Sequence, residues 1–368
     1  MNINNYISKL GHKTFDEMPF NDIDGLILSE LSFVNFDIVV PSIDVEQEAL
    51  KIGDIDAEDK VAFYKGSVDY KYNQTMFELM QKSNRFKDIK VGYYQKQFSK
   101  NNIVQFFSIA FILPDNTLYL SFRGTDTTIV GWKEDFLLAF APTMPSHELA
   151  LQYVRKMINK FPDSKYYLGG HSKGGNIAFY VACHLNEKQS ERLIGAYSYD
   201  GPGFKDGIKY YPSFERNKAK LYKYLTYNDV IGYFYKDVKA HKVVNSNGLL
   251  LGGHDPFFWQ VNSKGEFITS ESTSGYAKVR AKKLIAWLNS LSKQETKLIF
   301  DAVFDVFGEN DTIYDLAKNL PSNLLKTRKT MEKYSEPDKK LLIKSIKMLI
   351  IFILTPTKRL KIPDDPTK

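Results

Sequence analysis

The fold is decided by residues 166–185, which read YYLGGHSKGGNIAFYVACHL. A short β-forming run over 166–168 precedes the glycines, and a helix-prone run over 174–185 follows them. The segment between Gly170 and Gly174 fits the pattern G-x-S-x-G, in which a strained strand-to-helix turn exposes a serine hydroxyl, here that of Ser172. A glycine-rich turn without chemistry is the alternative interpretation.

The segments around this turn predict a layered α/β fold. The turn signal Pro114-Asp115-Asn116 separates two β-forming runs, which predicts a hairpin, and an amphipathic helix is predicted after it. The predicted strands are 104–113, 117–123, 193–199, 221–227 and 240–245, and the predicted helix is 146–161. Strands that alternate with helical segments favour a sheet covered by helices.

We expect three parts in the chain. The first hundred residues carry mostly helical patterns, and residues 1–84 are predicted to form a helical segment packed on the body. Residues 85–290 are expected to form the α/β core. Residues 291–368 are predicted as a helical extension that opens with a capping box at Ser292 and Glu295.

A serine nucleophile needs an imidazole base, and six histidines are available. In chain order Ser…Asp…His the base follows the acid. Four histidines do not fit this order because they lie before Ser172 or on the turn and its helix: His12, His147, His171 and His184. Of the remaining two, His254 lies in a glycine-rich loop and is favoured over His241, which begins a predicted strand.

The acid that orients the base should end a strand between Ser172 and His254. Asp229 follows the strand over 221–227, and Asp200 follows the strand over 193–199. Asp229 is the predicted acid and Asp200 is the open alternative. Either aspartate is also explained as a turn-capping residue.

Stabilisation of an oxyanion needs a second backbone amide beside that of Lys173. The loop over 122–126, which includes Gly124 and Thr125, follows an earlier strand and is the place where such an amide is expected. Without the serine turn, Gly124 would be explained as an ordinary turn glycine.

Together these residues resemble the class 3 lipases, a serine-esterase branch of the α/β-hydrolases. The segment 122–125 with Trp132 and Asp135 resembles the oxyanion segment of the family, and residues 170–175 resemble its nucleophile turn. Residues 228–230 resemble its catalytic-acid segment. A closer match is a bacterial lipase-like branch called Mbeg1-like, which residues 199–204 also resemble.

The resemblance covers roughly residues 20–290 and implies an α/β-hydrolase fold, with a mostly parallel sheet, flanking helices and additional N- and C-terminal helices. It implies that Ser172 is the nucleophile, Asp229 the acid and His254 the base. Thr125 would supply an oxyanion amide and a hydroxyl that Asp135 orients. The predicted function is a carboxylesterase or lipase that cleaves an acyl ester through an acyl-enzyme.

Two other functions stay open: a hydrolase-fold binding or scaffold protein without activity, and a thioesterase or acyltransferase that uses the same site. The chain departs from the lipases at Lys173, where they have leucine, and at Gly232, where they have proline after the acid. Lipase disulfides and a secretion signal are also missing.

The charge of the chain argues against nucleic acid as a partner. The net charge is +7, and the stretch from residue 326 onward holds 12 Lys+Arg against 5 Asp+Glu, which leaves the rest balanced. A nucleic-acid-binding body would spread its basic residues over one face. Cys183 is the single cysteine, and no signal peptide is recognised, so we expect a reducing cytoplasm and neither a metal nor a cofactor.

The basic tail predicts a further helix, over 339–354. Lys340, Lys344 and Lys347 fall on one stripe of that helix, with apolar residues over the remainder and more basic residues up to 361. One hypothesis is peripheral contact with an anionic membrane through residues 339–361. The alternative is a helix docked on the body or on a second protomer.

Overall fold

A computed structural model describes residues 1–64, 70–138, 140–235, 237–248, 250–307, 311–312, 315 and 331–354. Its described strands form one mixed sheet in which strand order follows chain order. The strands are Leu50–Lys51 (β1), Lys90–Ser99 (β2), Val104–Ile112 (β3), Leu118–Phe122 (β4), Tyr166–His171 (β5), Leu193–Tyr199 (β6), Leu221–Thr226 (β7), Lys242–Val244 (β8) and Thr269–Ser270 (β9). Strands β4 to β8 run parallel, and the flanking strands pair antiparallel.

Helices cover both faces of this sheet. Those of the described residues are Ile3–Leu10 (α1), Asp22–Leu31 (α2), Lys60–Tyr64 (α3), Tyr70–Lys82 (α4), Ile129–Leu138 (α5), Pro145–Lys160 (α6), Lys173–Ala182 (α7), Glu187–Arg192 (α8), Phe214–Asn217 (α9), Gly275–Ser290 (α10), Lys293–Phe307 (α11) and Glu336–Leu354 (α12). Short 3-10 helices connect them at Phe36–Ile38, Ile52–Asp54, Ile208–Tyr210, Lys218–Lys220, Ile231–Tyr233, Leu250–Gly253 and Pro256–Phe258. The predicted α/β-hydrolase-type arrangement is confirmed, including helices before and after the core.

The hairpin of β3 and β4 forms as the turn residues predict. Leu113 donates its amide to the Thr117 carbonyl at 2.9 Å, and Asn116 takes a left-handed φ of 63° in the turn. Both strands are buried throughout, which agrees with their continuous apolar sequence.

A ladder of tyrosines lines one face of the parallel strands. Tyr197 and Tyr222 stack with ring centroids 5.3 Å apart, and Tyr199 and Tyr224 stack at 4.9 Å across the same strand pair. Tyr119 of β4 donates its hydroxyl to the Gly25 carbonyl, and Tyr199 donates to the Asp22 carbonyl, both in α2. The ladder therefore holds α2 on the sheet by hydrogen bonds as well as by apolar contact.

A buried ion pair secures the same helix from the other side. Arg85 and Asp24 form a bidentate pair whose side chains are fully buried. Arg85 also donates to the Met18 carbonyl at 2.7 Å, so that the loop before α2 is fixed to the segment after α4. The N-terminal helices thus share one apolar core with the sheet. The predicted boundaries at residues 84 and 290 stay a prediction.

The prediction that the first hundred residues are mostly helical is wrong for β1 and β2, which lie within this part of the chain and belong to the sheet. Strand β2 contains a bulge between Gly92 and Gln95, and Tyr93 has a φ of 55° there. An inserted residue shifts the alternation of side chains between the faces, so the period-2 pattern that identifies a strand is interrupted.

The last helices form a separate layer at one end of the sheet. Leu342 of α12 is buried against Leu284, Trp287 and Leu288 of α10, in a cluster that Ile299 of α11 joins. The capping box at Ser292 opens α11 as predicted, because Glu295 and Ser292 exchange hydrogen bonds. Within the described residues, no helix is both long and apolar enough to cross a bilayer.

Candidate active site

Ser172 occupies a strained turn between a strand and a helix. Strand β5 ends at His171, Ser172 has φ 57° and ψ −127°, and α7 begins at Lys173. A non-glycine residue with positive φ is uncommon and persists where the surrounding structure imposes it. The Ser172 amide donates to the Tyr199 carbonyl at 2.9 Å, which ties the turn to the end of β6.

The carboxyl ends of neighbouring parallel strands bring three further groups together. Asp200 follows β6 directly, Asp229 follows β7 after a short loop, and His254 comes from a loop beyond β8. His254 Nδ1 lies 2.9 Å from Asp200 Oδ2 and 3.5 Å from Asp229 Oδ2. Both carboxyl groups are buried, whereas the imidazole is 18% exposed.

The electrostatics of the three groups are strongly coupled. Burial alone would lower the pKa of His254, but the Asp229 and Asp200 carboxylates outweigh it and raise that pKa to about 10. Burial and the neighbouring Asp229 charge raise the pKa of Asp200 to about 7. Burial works against ionisation of Asp229 too, yet the His254 charge and hydrogen bonds hold the Asp229 pKa below its ordinary value. One aspartate is thus suited to stay ionised and the other to keep a proton.

The loop after β4 lies directly against the serine turn. A side-chain carbon added at Gly124 would lie 2.7 Å from the His171 carbonyl and 3.4 Å from Ser172 Cβ, so the close approach requires a glycine. The next residue, Thr125, donates its hydroxyl to Asp135 Oδ2. Burial raises the pKa of Asp135 to about 6, although the charge of Lys173 and the Thr125 hydrogen bond oppose the rise.

The side chain of Lys173 belongs to a second buried cluster. Its ammonium group donates to Glu134 Oε2 at 2.8 Å, to the Gln105 carbonyl at 2.8 Å and to Gln105 Oε1 at 2.6 Å. Glu134 Oε1 accepts from the Ser146 amide at 3.1 Å and from its hydroxyl at 2.6 Å. Both charged side chains are fully buried. The cluster links α5, α7, β3 and the start of α6.

An apolar cavity of about 190 Å³ opens beside Ser172. Helices α5 and α10 and the loops after β6 and β7 supply its walls. The lining residues are Trp132, Asp135, Phe136, Leu138, Ser172, Lys173, Pro202, Ile231, Phe234, Leu284, Trp287 and Leu288. Such a cavity, with few polar groups near a serine, suits the apolar part of a small molecule.

The other histidines have different surroundings. His171 Nε2 lies 2.9 Å from the His254 carbonyl, and burial lowers the pKa of His171 well below its ordinary value. His147 Nε2 lies 2.8 Å from Asn176 Oδ1, inside the core. Among the predicted candidates, His254 is the one that the structure brings to Asp200 and Asp229.

Asp200, Asp229 and His254 have possible metal-ligand atoms within 4.8 Å of one another, a spacing that a metal ion could use. Their donors are engaged in other bonds, however. His254 Nδ1 is bound to a carboxylate, Asp229 Oδ2 accepts from the Ile231 amide at 2.6 Å, and Asp200 Oδ2 accepts from the Thr226 hydroxyl at 3.2 Å. This arrangement fits acid–base chemistry, and we assign it no ion.

The structure adds residues that sequence reasoning missed. Glu134, the partner of Lys173, was not identified, and neither was the cavity wall formed by Leu284 and Trp287 of α10. A partner such as Glu134 could have been expected from the sequence. Lys173 directly follows the predicted nucleophile, and a lysine that is buried against the sheet needs a buried acid. An amphipathic helix such as α10 does not reveal which neighbour its apolar side covers.

Known structures similar to this chain include lipases. A mutant form of MDLA from Penicillium cyclopium is 14% identical, with 69% of this chain and 87% of that chain covered and a TM-score of 0.42. The Rhizomucor miehei lipase in its propeptide complex is 18% identical, with 52% and 65% covered and a TM-score of 0.35. Lipase II from Rhizopus niveus is 14% identical, with 54% and 77% covered and a TM-score of 0.33.

A search of curated proteins finds none that matches the chain. The family model described as Mbeg1-like matches residues 80–305, a range that contains the serine turn, the loop after β4, both aspartates and His254. This match extends over more than half of the sequence and agrees with the resemblance seen in the motifs. The chain therefore belongs to the Mbeg1-like family.

Proposed function

We propose that this protein is a serine ester hydrolase that cleaves an acyl ester. One observation carries the proposal: a serine in a strained strand-to-helix turn shares one sheet edge with an imidazole that is bonded to buried carboxylate. An apolar cavity opens beside that serine. Nucleophile, base, acid and a place for an acyl group are the parts that this reaction class needs.

In the proposed reaction, Ser172 Oγ attacks the ester carbonyl while His254 takes the hydroxyl proton. The backbone amides of Thr125 and Lys173 would bind the oxyanion, since Gly124 lets the loop that carries Thr125 lie against the serine turn, where α7 begins with Lys173. His254 then gives its proton to the leaving alcohol, and the C–O bond breaks to leave an acyl-enzyme. Water hydrolyses the acyl-enzyme by the same steps in reverse, and a carboxylic acid leaves.

The cavity supports an apolar acyl group as the part of the substrate that is recognised. Its walls carry Trp132 and Phe136 from α5 and Trp287 from α10, and its polar lining residues are Asp135, Ser172 and Lys173. Burial of apolar substrate surface against such walls is favourable, at about 25 cal/mol per Å². We infer a lipid-like or other apolar acyl ester as the substrate class.

The test is labelling with a fluorophosphonate probe, followed by turnover of p-nitrophenyl esters of increasing acyl length. We expect labelling of the wild type and no labelling of Ser172→Ala, whose kcat/KM should fall by at least about 10³-fold. Ser263→Ala, on an exposed loop, is the matched control and should match the wild type. Equal labelling of the Ser172→Ala variant would refute the nucleophile. Faster turnover of acyl thioesters would assign a thioesterase instead.

We also propose that α12 makes peripheral contact with anionic membranes. Leu342 docks the helix on the body, while Lys340, Lys344 and Lys347 are exposed on its outer side. The basic residues from 355 to 361 lie outside the described residues. Pelleting with vesicles that contain phosphatidylserine should decrease when the three lysines are replaced by glutamine. Unchanged pelleting would remove the membrane role.

A further inference from the structure

We propose that Asp200 and Asp229 form a carboxyl pair that holds one proton between them and orients His254 jointly. This inference rests on the proposed function and replaces its single acid by two positioning residues. It also explains why two strand-end aspartates, rather than one, reach the same imidazole.

The geometry carries the first step. Both carboxyl groups approach the same nitrogen, His254 Nδ1, at 2.9 and 3.5 Å. One N–H group directed between them donates to either oxygen, so either aspartate alone can hold the tautomer in which Nε2 is free to act as a base.

The charges carry the second step. The Asp200 and Asp229 carboxyl groups are buried and have oxygens within 4.8 Å of each other. Two ionised carboxylates at that separation and out of water repel each other, so the pair retains a proton at neutral pH. Asp229 Oδ2 accepts a backbone amide at 2.6 Å, whereas Asp200 accepts from Thr226 at 3.2 and 3.3 Å. His254 Nδ1 lies closer to Asp200 than to Asp229, but the 2.6 Å bond from the Ile231 amide is the shortest to either carboxyl group and favours the ionised form of Asp229, so we place the proton on Asp200.

An unpaired oxygen supports this placement. Asp229 Oδ1 is buried, and no N–H or O–H donor in the described part of the chain reaches it. A protonated Asp200, with an oxygen within 4.8 Å of Asp229, would supply the hydroxyl donor that this carboxylate lacks. A buried acceptor without a donor is costly, so the shared proton also removes an energetic penalty.

The backbone makes room for the second aspartate. Asp200 has a left-handed φ of 52°, and a side-chain carbon at residue 232 would collide with Asp200 Oδ1 and with Leu225. Gly232 is thus required by the Asp200 carboxyl group. Positive φ at a non-glycine residue is tolerated where function maintains it.

The other titratable groups near Asp200 and Asp229 have little influence on the charge of His254. The His171 ring lies 4.5 Å from that of His254 and is held neutral by burial, and its Nδ1 is 3.8 Å from Glu30 Oε2. Tyr233 lies near Asp200 and stays protonated because burial raises its pKa. Asp135 interacts with His254 across the serine turn, and burial raises its pKa to about 6. The charge on His254 is therefore set mainly by Asp200 and Asp229.

The test is a double-mutant cycle of kcat/KM with Asp200→Asn, Asp229→Asn and the double variant, with Asp206→Asn on the exposed loop after β6 as the matched control. We expect each single variant to lose no more than about 10-fold and the double variant to lose at least about 10³-fold. A single variant that loses as much as the double one would overturn the pair and assign the acid role to that aspartate alone.

The pH profile provides a second readout that a structural role would not change. Asp200, whose pKa is raised to about 7, loses its proton before His254, whose pKa is raised to about 10. Both carboxylates then stabilise the imidazolium, and because His254 acts as a base only when neutral, they delay the rise of kcat/KM to alkaline pH. In Asp200→Asn the rise should move to lower pH by at least about one unit, and an unmoved profile would contradict the pair. Fluorophosphonate labelling that is lost in Ser172→Ala but kept in both single variants separates failure of the pair from failure of the proposed function.

Discussion

Two buried charged clusters flank Ser172, and they differ in how completely their hydrogen bonds are satisfied. In the Lys173 cluster, three acceptors take the three ammonium protons, and both oxygens of Glu134 accept bonds. In the His254 cluster, two carboxyl groups face one imidazole, and no donor among the residues that the structure describes reaches Asp229 Oδ1. Complete pairing of buried polar groups makes a rigid support. In the His254 cluster, the unsatisfied oxygen leaves room for the proton that we propose the two aspartates share.

The comparison also explains why a lysine is tolerated beside the proposed nucleophile. The Lys173 amide lies at the start of α7, where it faces the serine turn, while its side chain runs into the protein and meets Glu134. The charge is thus neutralised locally. In the proposed reaction, one residue supplies both a backbone amide for the oxyanion and a side chain that is bonded to Glu134 of α5, the helix that carries Asp135.

The largest effect is expected for a substitution in the His254 cluster, on kcat/KM. His254→Ala removes the base and should lower kcat/KM by about 10⁴-fold. His241→Ala, at an exposed position, is the matched control. Ester turnover and thermal unfolding of both variants give the comparison, and activity of His254→Ala within about 10-fold of wild type would refute the assignment.

A substitution in the Lys173 cluster should instead lower the free energy of unfolding. Lys173→Met leaves Glu134 buried without its counter-charge and should lower the free energy of unfolding by about 3–5 kcal/mol. Lys173→Met combined with Glu134→Gln should recover much of that loss, because no isolated charge remains. Urea unfolding measures both.

The exposed pair of Lys218 and Glu215 provides the control for this prediction. Its side chains are more than half exposed, so Lys218→Met should leave the urea midpoint unchanged. An equal loss in Lys218→Met and Lys173→Met would show that the buried cluster has no special structural role.

The smallest effect concerns the cavity between the two clusters. Trp132 lines it and is 44% exposed, so Trp132→Ala should fold normally and raise KM for long-chain esters by about 10-fold, with less effect on short ones. Tyr210→Ala, an equally large change at a 72% exposed residue, is the control. An unchanged ratio of long-chain to short-chain KM would place the acyl group elsewhere.

The sequence predicted the strand, turn and helix around Ser172 and the segments that form β3 to β8 well, because these depend on local signals. The glycines around Ser172 and the flanking apolar runs require a strand, a turn and a helix within twenty residues. Strand β2 was harder, since its bulge at Tyr93 interrupts the alternation on which strand prediction depends.

The choice between Asp200 and Asp229 could not be made from the sequence. Both aspartates end adjacent parallel strands, and adjacent strand ends meet at one edge of the sheet. Only the three-dimensional structure shows that both reach His254. Likewise, the partner of Lys173 depends on where α5 crosses α7, and no local pattern encodes that crossing.

The tyrosine ladder has a consequence for how unfolding can be observed. Burial raises the pKa of Tyr119 and of Tyr199 well above the ordinary value of a phenol. Above about pH 10 the unfolded chain loses phenolic protons that the folded sheet retains, so alkali destabilises the fold. The absorbance of phenolate from these residues then develops only as the strands separate. Phenolate absorbance of these tyrosines therefore reports the opening of the sheet without any added label.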